Sequence, residues 1–261
     1  MKKNFTYKFL ISFITTFLLC NHALCSNTKT FVSLSPALTE TMYALNAQEQ
    51  LTGVSTACTY PKEAIEKEKI GNNFFINEEK ILSLKPNYIL ALDSSEFAVN
   101  KFKALGITPL CFKYPDIKSI HKNILEIGKL TNKNLKAQEI VKFSAEKIKA
   151  ANKNQKKKIL YLVQATPMIS IGNKSFISDI IEKSGNISIT RNINAFYPTI
   201  SEEFAIQEKP EIIILSFNFD KNRLEKLFPN AKIIYLSEEE NDIINRPGPR
   251  IHKSVEFFAN L

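Results

Sequence analysis

The chain has 261 residues, of which 44% are hydrophobic and 23% charged, a composition typical of a globular protein with one large or two small domains. The formal net charge is +9, but three lysines lie in the first 25 residues and leave 32 basic against 26 acidic residues, or +6, in the rest. The remaining lysines are scattered, with one run at 156–158. This pattern favours a solvated lysine-rich surface over a nucleic-acid- or membrane-binding face.

The first 25 residues have the pattern of a secretory signal peptide. A basic start, "MKKNFTYK", precedes the apolar run "FLISFITTFLL", which is too short to span a bilayer, and the small-residue stretch "NHALCSN". Cleavage after Cys25 places Ala23 and Cys25 at the small-residue positions. Lipidation at Cys20 or Cys25 is the alternative, but each cysteine follows a leucine, which is a poor residue for lipoprotein processing. We therefore expect a soluble exported protein.

Short apolar runs alternate with helical patterns along the rest of the chain. Strands are predicted, in chain order, at 30–35, 51–55, 87–92, 107–114, 158–163, 211–216 and 232–237. Helical patterns such as "ALTETMYAL", "NEEKILSL" and "KSFISDIIEKSG" lie between them. This alternation predicts an α/β fold with parallel sheets covered by helices on both faces, and continuous apolar runs such as "IIIL" are typical of buried parallel strands.

The middle of the chain contains one long polar helical pattern, "NKNLKAQEIVKFSAEKIKAANK", at 132–153. No strand pattern interrupts it, and the alternation of strands and helices resumes afterwards. We therefore predict two Rossmann-like lobes, at 26–131 and 155–261, joined by one long backbone helix at 132–154.

One phrase occurs twice: "NEEKILSLKPNYIL" from residue 77 and "SEEFAIQEKPEIIIL" from residue 201, an offset of 124 residues. Asn77 and Ser201 are good N-cap residues, and the Glu-Glu pair after each lies where the helix dipole favours acids. Lys-Pro is expected to end each helix, because the residue before proline is displaced from the α region towards extended backbone. The repeat predicts equivalent elements in two lobes related by an internal pseudo-two-fold axis.

Cysteines and histidines give little indication of chemistry. Cys58 and Cys111 remain after processing, and in an oxidising compartment they either form a disulfide or stay as two free thiols. His121 and His252 are the remaining histidines, and the chain has no G-x-G-x-x-G, P-loop or G-x-S-x-G motif. An exported α/β enzyme remains the alternative function, but the sequence shows no group of residues with a catalytic pattern to support it.

Several stretches resemble one known family in order and spacing. They are "FVSLSPALTETMYAL", "LTGVSTACTYPKEA", "NEEKILSLKPNYILAL", "LGITPL", "SFISDIIEKSG", "YPTISEEFA", "KPEIIILS" and "RPGPRI". The chain is similar to the helical-backbone (class III) periplasmic binding proteins of ABC importers, which serve vitamin B12, haem and ferric siderophores. "SLSPALTE", "TYP" and "RPGPR" look most like the cobalamin-binding branch.

The resemblance implies a monomeric, non-enzymatic periplasmic protein that captures cobalamin between its lobes and delivers it to an inner-membrane ABC permease dimer. It implies no resident cofactor and no nucleic-acid partner. In the cobalamin branch one surface glutamate per lobe docks on the permease, and by position these correspond to Glu79 and Glu203. Opposed surface charges of this kind steer association and fix register.

The ligand pocket is expected at the carboxyl ends of the strands. The predicted ligand-binding residues are Ser35, Pro36, Ala37, Tyr60, Phe74, Phe75, Asp93, Gln164, Tyr197, Phe217 and Arg246. Flat aromatic side chains grip a corrin or porphyrin plate well. Because the chain has no tryptophan, Phe74 and Tyr197 would take the place of the tryptophans that the family's B12 proteins often use.

Three ligand classes remain open beside cobalamin. Haem is the nearest, with Tyr60 as the residue that would ligate its iron. Ferric siderophores usually need several arginines, and the chain has four; a cobalt or nickel chelate is the third class. The single long helix predicts modest lobe closure rather than a wide hinge motion.

Overall fold

The computed structural model describes residues 28–72, 75–217 and 221–261, so the predicted signal peptide (1–25) lies outside the described residues. The first half contains four strands and four α-helices. They are β1 (Phe31–Ser33), α1 (Pro36–Ala44), β2 (Leu51–Val54), α2 (Glu78–Leu84), β3 (Tyr88–Leu92), α3 (Glu96–Val99), β4 (Thr108–Phe112) and α4 (Ile117–Leu130). Short 3-10 helices at Gln48–Gln50, Lys62–Glu66, Asp93–Ser95 and Asn100–Leu105 lie in the connections.

A single helix, α5 (Asn134–Ala151), then crosses to the second half. Its 18 residues correspond to a length of about 27 Å. The elements that follow are β5 (Lys158–Ala165), β6 (Met168–Ser170), α6 (Phe176–Lys183), β7 (Ile187–Ser188), α7 (Glu202–Glu208), β8 (Ile212–Leu215), α8 (Lys221–Leu227), β9 (Lys232–Tyr235), α9 (Glu238–Asn245) and α10 (Ile251–Ala259). No helix in the described ranges is long and apolar enough to cross a membrane.

The two sheets share one strand order. The first sheet is β2-β1-β3-β4, with all neighbours parallel. In the second sheet, the parallel neighbours follow the order β7-β5-β8-β9, so the first strand of each half is again central. The predicted α/β fold with two parallel-sheet lobes and one backbone helix is confirmed. The exact lobe boundaries stay a prediction.

Two short strands were not predicted. β7 has two residues and pairs with the start of β5, whereas β6 has three and pairs antiparallel with its end. Neither is long enough to produce a periodic apolar pattern. The second sheet is therefore mixed rather than purely parallel.

The lobes share one continuous apolar core. The largest cluster of buried side chains contains Phe31 from the first sheet, Ile159 and Ile214 from the second, and Ala137 from α5. A Cβ added at Gly128 of α4 would lie 2.5 Å from the Cβ of Ala137, so glycine permits the close approach of α4 and α5. Two smaller clusters, one in each lobe, cover the remaining parts of the sheets.

The repeated phrase forms two equivalent helices, α2 and α7. The side chains of Asn77 and Ser201 accept hydrogen bonds from the backbone amides of the third helical residue, as the N-cap prediction requires. The helix ends differ from the prediction, because Lys85 and Lys209 are left-handed, with φ of 45° and 50°, and not extended. In each case this conformation lets the lysine amide donate to a carbonyl of the last turn, so the residue before proline acts as a left-handed C-cap.

A partly buried histidine makes the packing of α4 on α5 sensitive to pH. His121 Nε2 lies 2.9 Å from Ser144 Oγ, and burial lowers the pKa of His121 below its ordinary value of 6.5. The unfolded chain therefore binds this proton at a higher pH than the folded chain does. The free energy of unfolding should decline as the pH falls through the ordinary histidine value.

We expect His121→Gln to flatten this decline between about pH 7 and pH 5, because glutamine keeps a polar partner for Ser144 but cannot be charged. Denaturant unfolding at each pH measures the effect. Ser144→Ala is the matched control, since it removes the hydrogen bond but keeps the titrating group and so should preserve the pH slope. Equal slopes for wild type and His121→Gln would contradict the assignment.

Candidate functional site

A buried ion cluster joins the two lobes. The Glu40 side chain on α1 is 2% exposed and accepts hydrogen bonds from Arg250 Nε and Nη2, both at 2.8 Å, and from Arg246 Nη1 at 3.1 Å. Arg246 also contacts Asp242 at 2.7 Å and Thr59 Oγ1 at 3.1 Å. Glu40 and Thr59 belong to the first lobe and the arginines to the second. The cluster therefore fixes the loop at 246–250 against the first lobe.

The sequence around Glu40 explains how a carboxylate is buried there. α1 begins with Pro36 in its first turn, where a missing amide hydrogen costs nothing, and it is buried from Ala37 to Met42. Thr41 Oγ1 donates to the carbonyl of Ala37 at 2.8 Å, so the helix satisfies its own hydroxyl. The only acceptor on this stretch that needs charged partners is Glu40, and the two arginines supply them.

The loop at 246–250 approaches α1 through its backbone. A Cβ added at Gly248 would lie 3.3 Å from the carbonyl oxygen of Ala37, which is tighter than an ordinary contact. Pro247 and Pro249 stiffen the loop on either side of the glycine. The "RPGPR" segment is therefore a rigid connection between the lobes.

Tyr60 extends the cluster towards solvent. It follows β2 and is half-exposed, and the Arg250 guanidinium lies 4.0 Å from the centroid of its ring. The stacked arginine fixes the ring orientation while part of the ring surface remains open. An aromatic surface is thus held at the carboxyl end of the first sheet.

The structure brings one group of predicted ligand residues together at this lobe contact. Ser35 and Ala37 are buried, Pro36 is partly buried, Tyr60 is half-exposed, and Arg246 is held in the ion cluster. Ala37 and Arg246 therefore lie at the lobe contact, and Tyr60 is the most exposed member of the group. Their role in ligand binding stays a prediction.

The remaining predicted residues differ in exposure. Phe75 and Tyr197 are strongly exposed. Gln164 is exposed and donates to the carbonyl of Thr166 at 2.9 Å. Phe217 is partly buried against the apolar core of the second lobe. Phe74 lies outside the described residues.

Asp93 lines a polar cavity at the edge of the first sheet. The cavity has a volume of about 300 Å³ and is also lined by Glu96, Lys103, Cys111 and Lys113. Asp93 therefore lies beside the edge strand β4. Cys111 is a free thiol there, and Cys58 is a separate buried thiol 3.2 Å from Thr39 Oγ1, so the structure contains no bond between them.

Two side chains of this region were not assigned a role from sequence. Glu40 stands in the motif "SLSPALTE", but its partners lie 206 and 210 residues away. Phe97 on α3, just beyond the carboxyl end of β3, is 97% exposed. In the sequence, Glu40 is an acid within an apolar helical pattern and Phe97 is a phenylalanine within a polar stretch. Neither feature indicates a role strongly without the structure.

The two Glu-Glu pairs have the same arrangement in both lobes. Glu78 forms an ion pair with Lys101, and Glu202 forms one with Arg223. Glu79 and Glu203 are exposed, and neither makes an ion pair within the described part of the chain. Hydrogen bonds from its own amide and from Ser201 lower the pKa of Glu203, so this carboxylate stays charged to a lower pH than usual.

The chain belongs to the periplasmic binding protein family, whose model matches residues 31–231. Within it, the predicted similarity to vitamin B12-binding members is confirmed. The Vitamin B12-binding protein of Vibrio parahaemolyticus is 28% identical over 86% of this chain and 86% of its own length. An uncharacterized ABC transporter substrate-binding lipoprotein, YvrC of Bacillus subtilis, is 29% identical over 88% of this chain and 79% of its own length.

Solved structures have the same fold. The periplasmic vitamin B12-binding protein BtuF of Vibrio cholerae superposes with a TM-score of 0.77 at 26% identity, covering 89% of this chain and 95% of its own. The periplasmic heme-binding protein HutB of Vibrio cholerae also gives a TM-score of 0.77, at 17% identity, with 89% and 98% covered. At that identity HutB is evidence for the fold alone.

Removing the Glu40 charge should destabilise the protein strongly. Glu40→Gln leaves the partly buried Arg250 without a carboxylate and Arg246 with Asp242 alone, so we expect the free energy of unfolding to fall by about 3 kcal/mol. Asp242→Asn is the matched control, because Asp242 pairs with the same Arg246 from a more exposed position and should cost less than about 1 kcal/mol. Urea denaturation measures both changes. Equal losses in the two variants would show that burial of Glu40 is not the determining factor.

Proposed function

We propose that the protein is the substrate-binding component of an ABC importer and that it captures cobalamin between its two lobes. The observation that carries the proposal is one exposed tyrosine ring in each lobe, Tyr60 in the first and Tyr197 in the second. The similarity to vitamin B12-binding proteins over most of the chain supports the same ligand class. The family to which the chain belongs is one of periplasmic binding proteins, which favours a binding role over catalysis.

The aromatic residues account for recognition of a broad, largely apolar plate. Tyr60 and Tyr197 are half-exposed or more, and Phe75 adds a third open ring beside α2. Phenol groups combine an apolar face with a polar edge, which suits a ligand that carries amide substituents around an apolar ring. In a chain without tryptophan, these residues supply the stacking surface.

Haem is the second candidate ligand because Tyr60 is an exposed phenol at the carboxyl end of a strand. Ferric siderophores are disfavoured because three of the four arginines already have acidic partners. Arg246 and Arg250 are paired with Glu40 and Asp242, and Arg223 is paired with Glu202. An anionic chelate would have to compete with these carboxylates for its counter-charges.

Titration of the purified mature protein with cyanocobalamin and with haemin distinguishes the two ligands. We expect saturable binding of cyanocobalamin, weakened about tenfold or more by Tyr197→Ala, because a stacked aromatic face contributes at least about 1.4 kcal/mol. Phe143→Ala is the matched control, since Phe143 is a half-exposed aromatic on α5, away from the strand ends. Tight haem binding that Tyr60→Phe abolishes, without cyanocobalamin binding, would replace cobalamin by haem.

We propose export to the periplasm as a soluble protein, with lipidation as the alternative. The leader pattern and the leucines before Cys20 and Cys25 support cleavage without a lipid anchor. The YvrC relative is named a lipoprotein, so the two routes are both represented among similar proteins. Mass spectrometry of the mature N-terminus separates them.

Docking on the permease is assigned to Glu79 and Glu203. Each is the second acid of a duplicated pair, and each is exposed at the start of an equivalent helix. In both cases the first acid already has a basic partner, so the second remains the carboxylate open to an external base. The low pKa of Glu203 keeps it charged under mildly acidic conditions.

The double variant Glu79→Gln with Glu203→Gln should bind cyanocobalamin normally but should no longer stimulate the ATPase of the reconstituted importer. The expected cause is a slower association, since surface charges act chiefly on encounter rates. Glu78→Gln with Glu202→Gln is the matched control in the same two helical turns and should retain most of the stimulation. Loss of stimulation in the control alone would reverse the assignment within each pair.

A further inference from the structure

We propose that each docking surface also contains an apolar residue, so that the permease is recognised by a charge and an apolar contact in each lobe. We define the first crown patch as Glu79 and Leu82 of α2, and the second as Glu203 and Ile206 of α7. This inference rests on the proposed function and adds the chemistry of the partner. The partner would present two equivalent pockets, each with a basic group beside an apolar rim.

The apolar members of the patches are exposed at equivalent positions. Leu82 is 39% exposed and Ile206 is 44% exposed, and they stand at the same offset of 124 residues as the rest of the repeat. Each lies three residues after its glutamate, which places both side chains on one face of the helix. A single exposed apolar residue is ordinary on a surface helix, but here the equivalent position is apolar in both copies of the repeat.

The opposite face of each helix is also duplicated. Ile81 of α2 and Ala205 of α7 are fully buried and anchor their helices on the apolar cores. Packing therefore fixes the same rotation of the two helices about their axes. As a result, the exposed acid and the exposed apolar residue point away from each lobe in the same way.

The ion pairs of the first glutamates follow the repeat as well. Lys101, the partner of Glu78, lies in the 3-10 helix after α3, and Arg223, the partner of Glu202, lies in α8. Both segments come after the strand that follows the repeated helix. Neutralising the first acid leaves one unpaired carboxylate in each patch, next to an apolar side chain.

Two similar patches on one chain indicate a partner with two equivalent sites. A dimer with two-fold symmetry presents such sites, and the permease of the proposed importer is a dimer of this kind. The glutamate and the apolar residue of each patch should affect different rate constants of permease binding. Charges accelerate encounter, whereas desolvated apolar contacts chiefly slow dissociation.

The test measures binding of the mature protein to the cognate permease–ATPase complex in lipid nanodiscs by surface plasmon resonance. Leu82→Ser with Ile206→Ser should raise the dissociation rate about tenfold and leave the association rate nearly unchanged, as expected for the loss of partly buried apolar side chains. Each single variant should account for part of the increase. The control is Ile65→Ser with Leu135→Ser, which removes two exposed apolar side chains outside the patches.

Three results distinguish this inference from the function on which it rests. An unchanged dissociation rate in the Leu82 and Ile206 variants, with binding lost in the Glu79 and Glu203 variants, would overturn the apolar contact and leave acid docking intact. An effect of only one apolar residue would overturn the two-fold arrangement. Normal permease binding by all these variants would overturn both proposals. Cyanocobalamin affinity and thermal unfolding of each isolated variant exclude loss of the fold.

Discussion

The arrangement of the two lobes depends on a carboxylate that has almost no contact with water. Glu40 is stable in that position only because two guanidinium groups from the other lobe surround it. The same arginines hold the rigid loop at 246–250 and, through Arg250, the ring of Tyr60. A single buried acid therefore sets the lobe contact and orients the aromatic surface beside it.

Other contacts add to this constraint and limit how far the lobes can separate. The amide of Ile117, at the start of α4, donates to Asp179 Oδ2 on α6 at 2.9 Å, so a helix of the first lobe is capped by a residue of the second. The apolar core is also continuous between the two sheets through Ala137 of α5. Opening by a wide hinge would break a buried ion cluster and expose this core. We therefore still expect the lobes to move by a small change in angle rather than by a wide hinge.

The sequence alone predicted the strands and helices that are specified by a local pattern of apolar and polar residues. Continuous apolar runs predicted the seven strands that form the parallel part of each sheet, apart from β7, and the 22-residue polar pattern at 132–153 predicted α5. The predicted extended conformation of Lys85 and Lys209 was wrong. At both residues the C-cap hydrogen bond outweighs the preference of a pre-proline residue for extended backbone. Glu40 was not recognised, since its pairing partners are distant in sequence and only the folded chain brings them together.

The repeated phrase separates the requirements of folding from those of recognition. Folding accounts for the N-cap residues, the left-handed lysines, and the buried Ile81 and Ala205, because each satisfies a backbone group or fills the core. The same argument gives no reason for an exposed apolar residue or for a second acid that has no basic partner in the described structure. At these positions an apolar side chain and a carboxylate face solvent without stabilising the lobe to which they belong. We infer that a partner protein contacts the equivalent positions of both lobes.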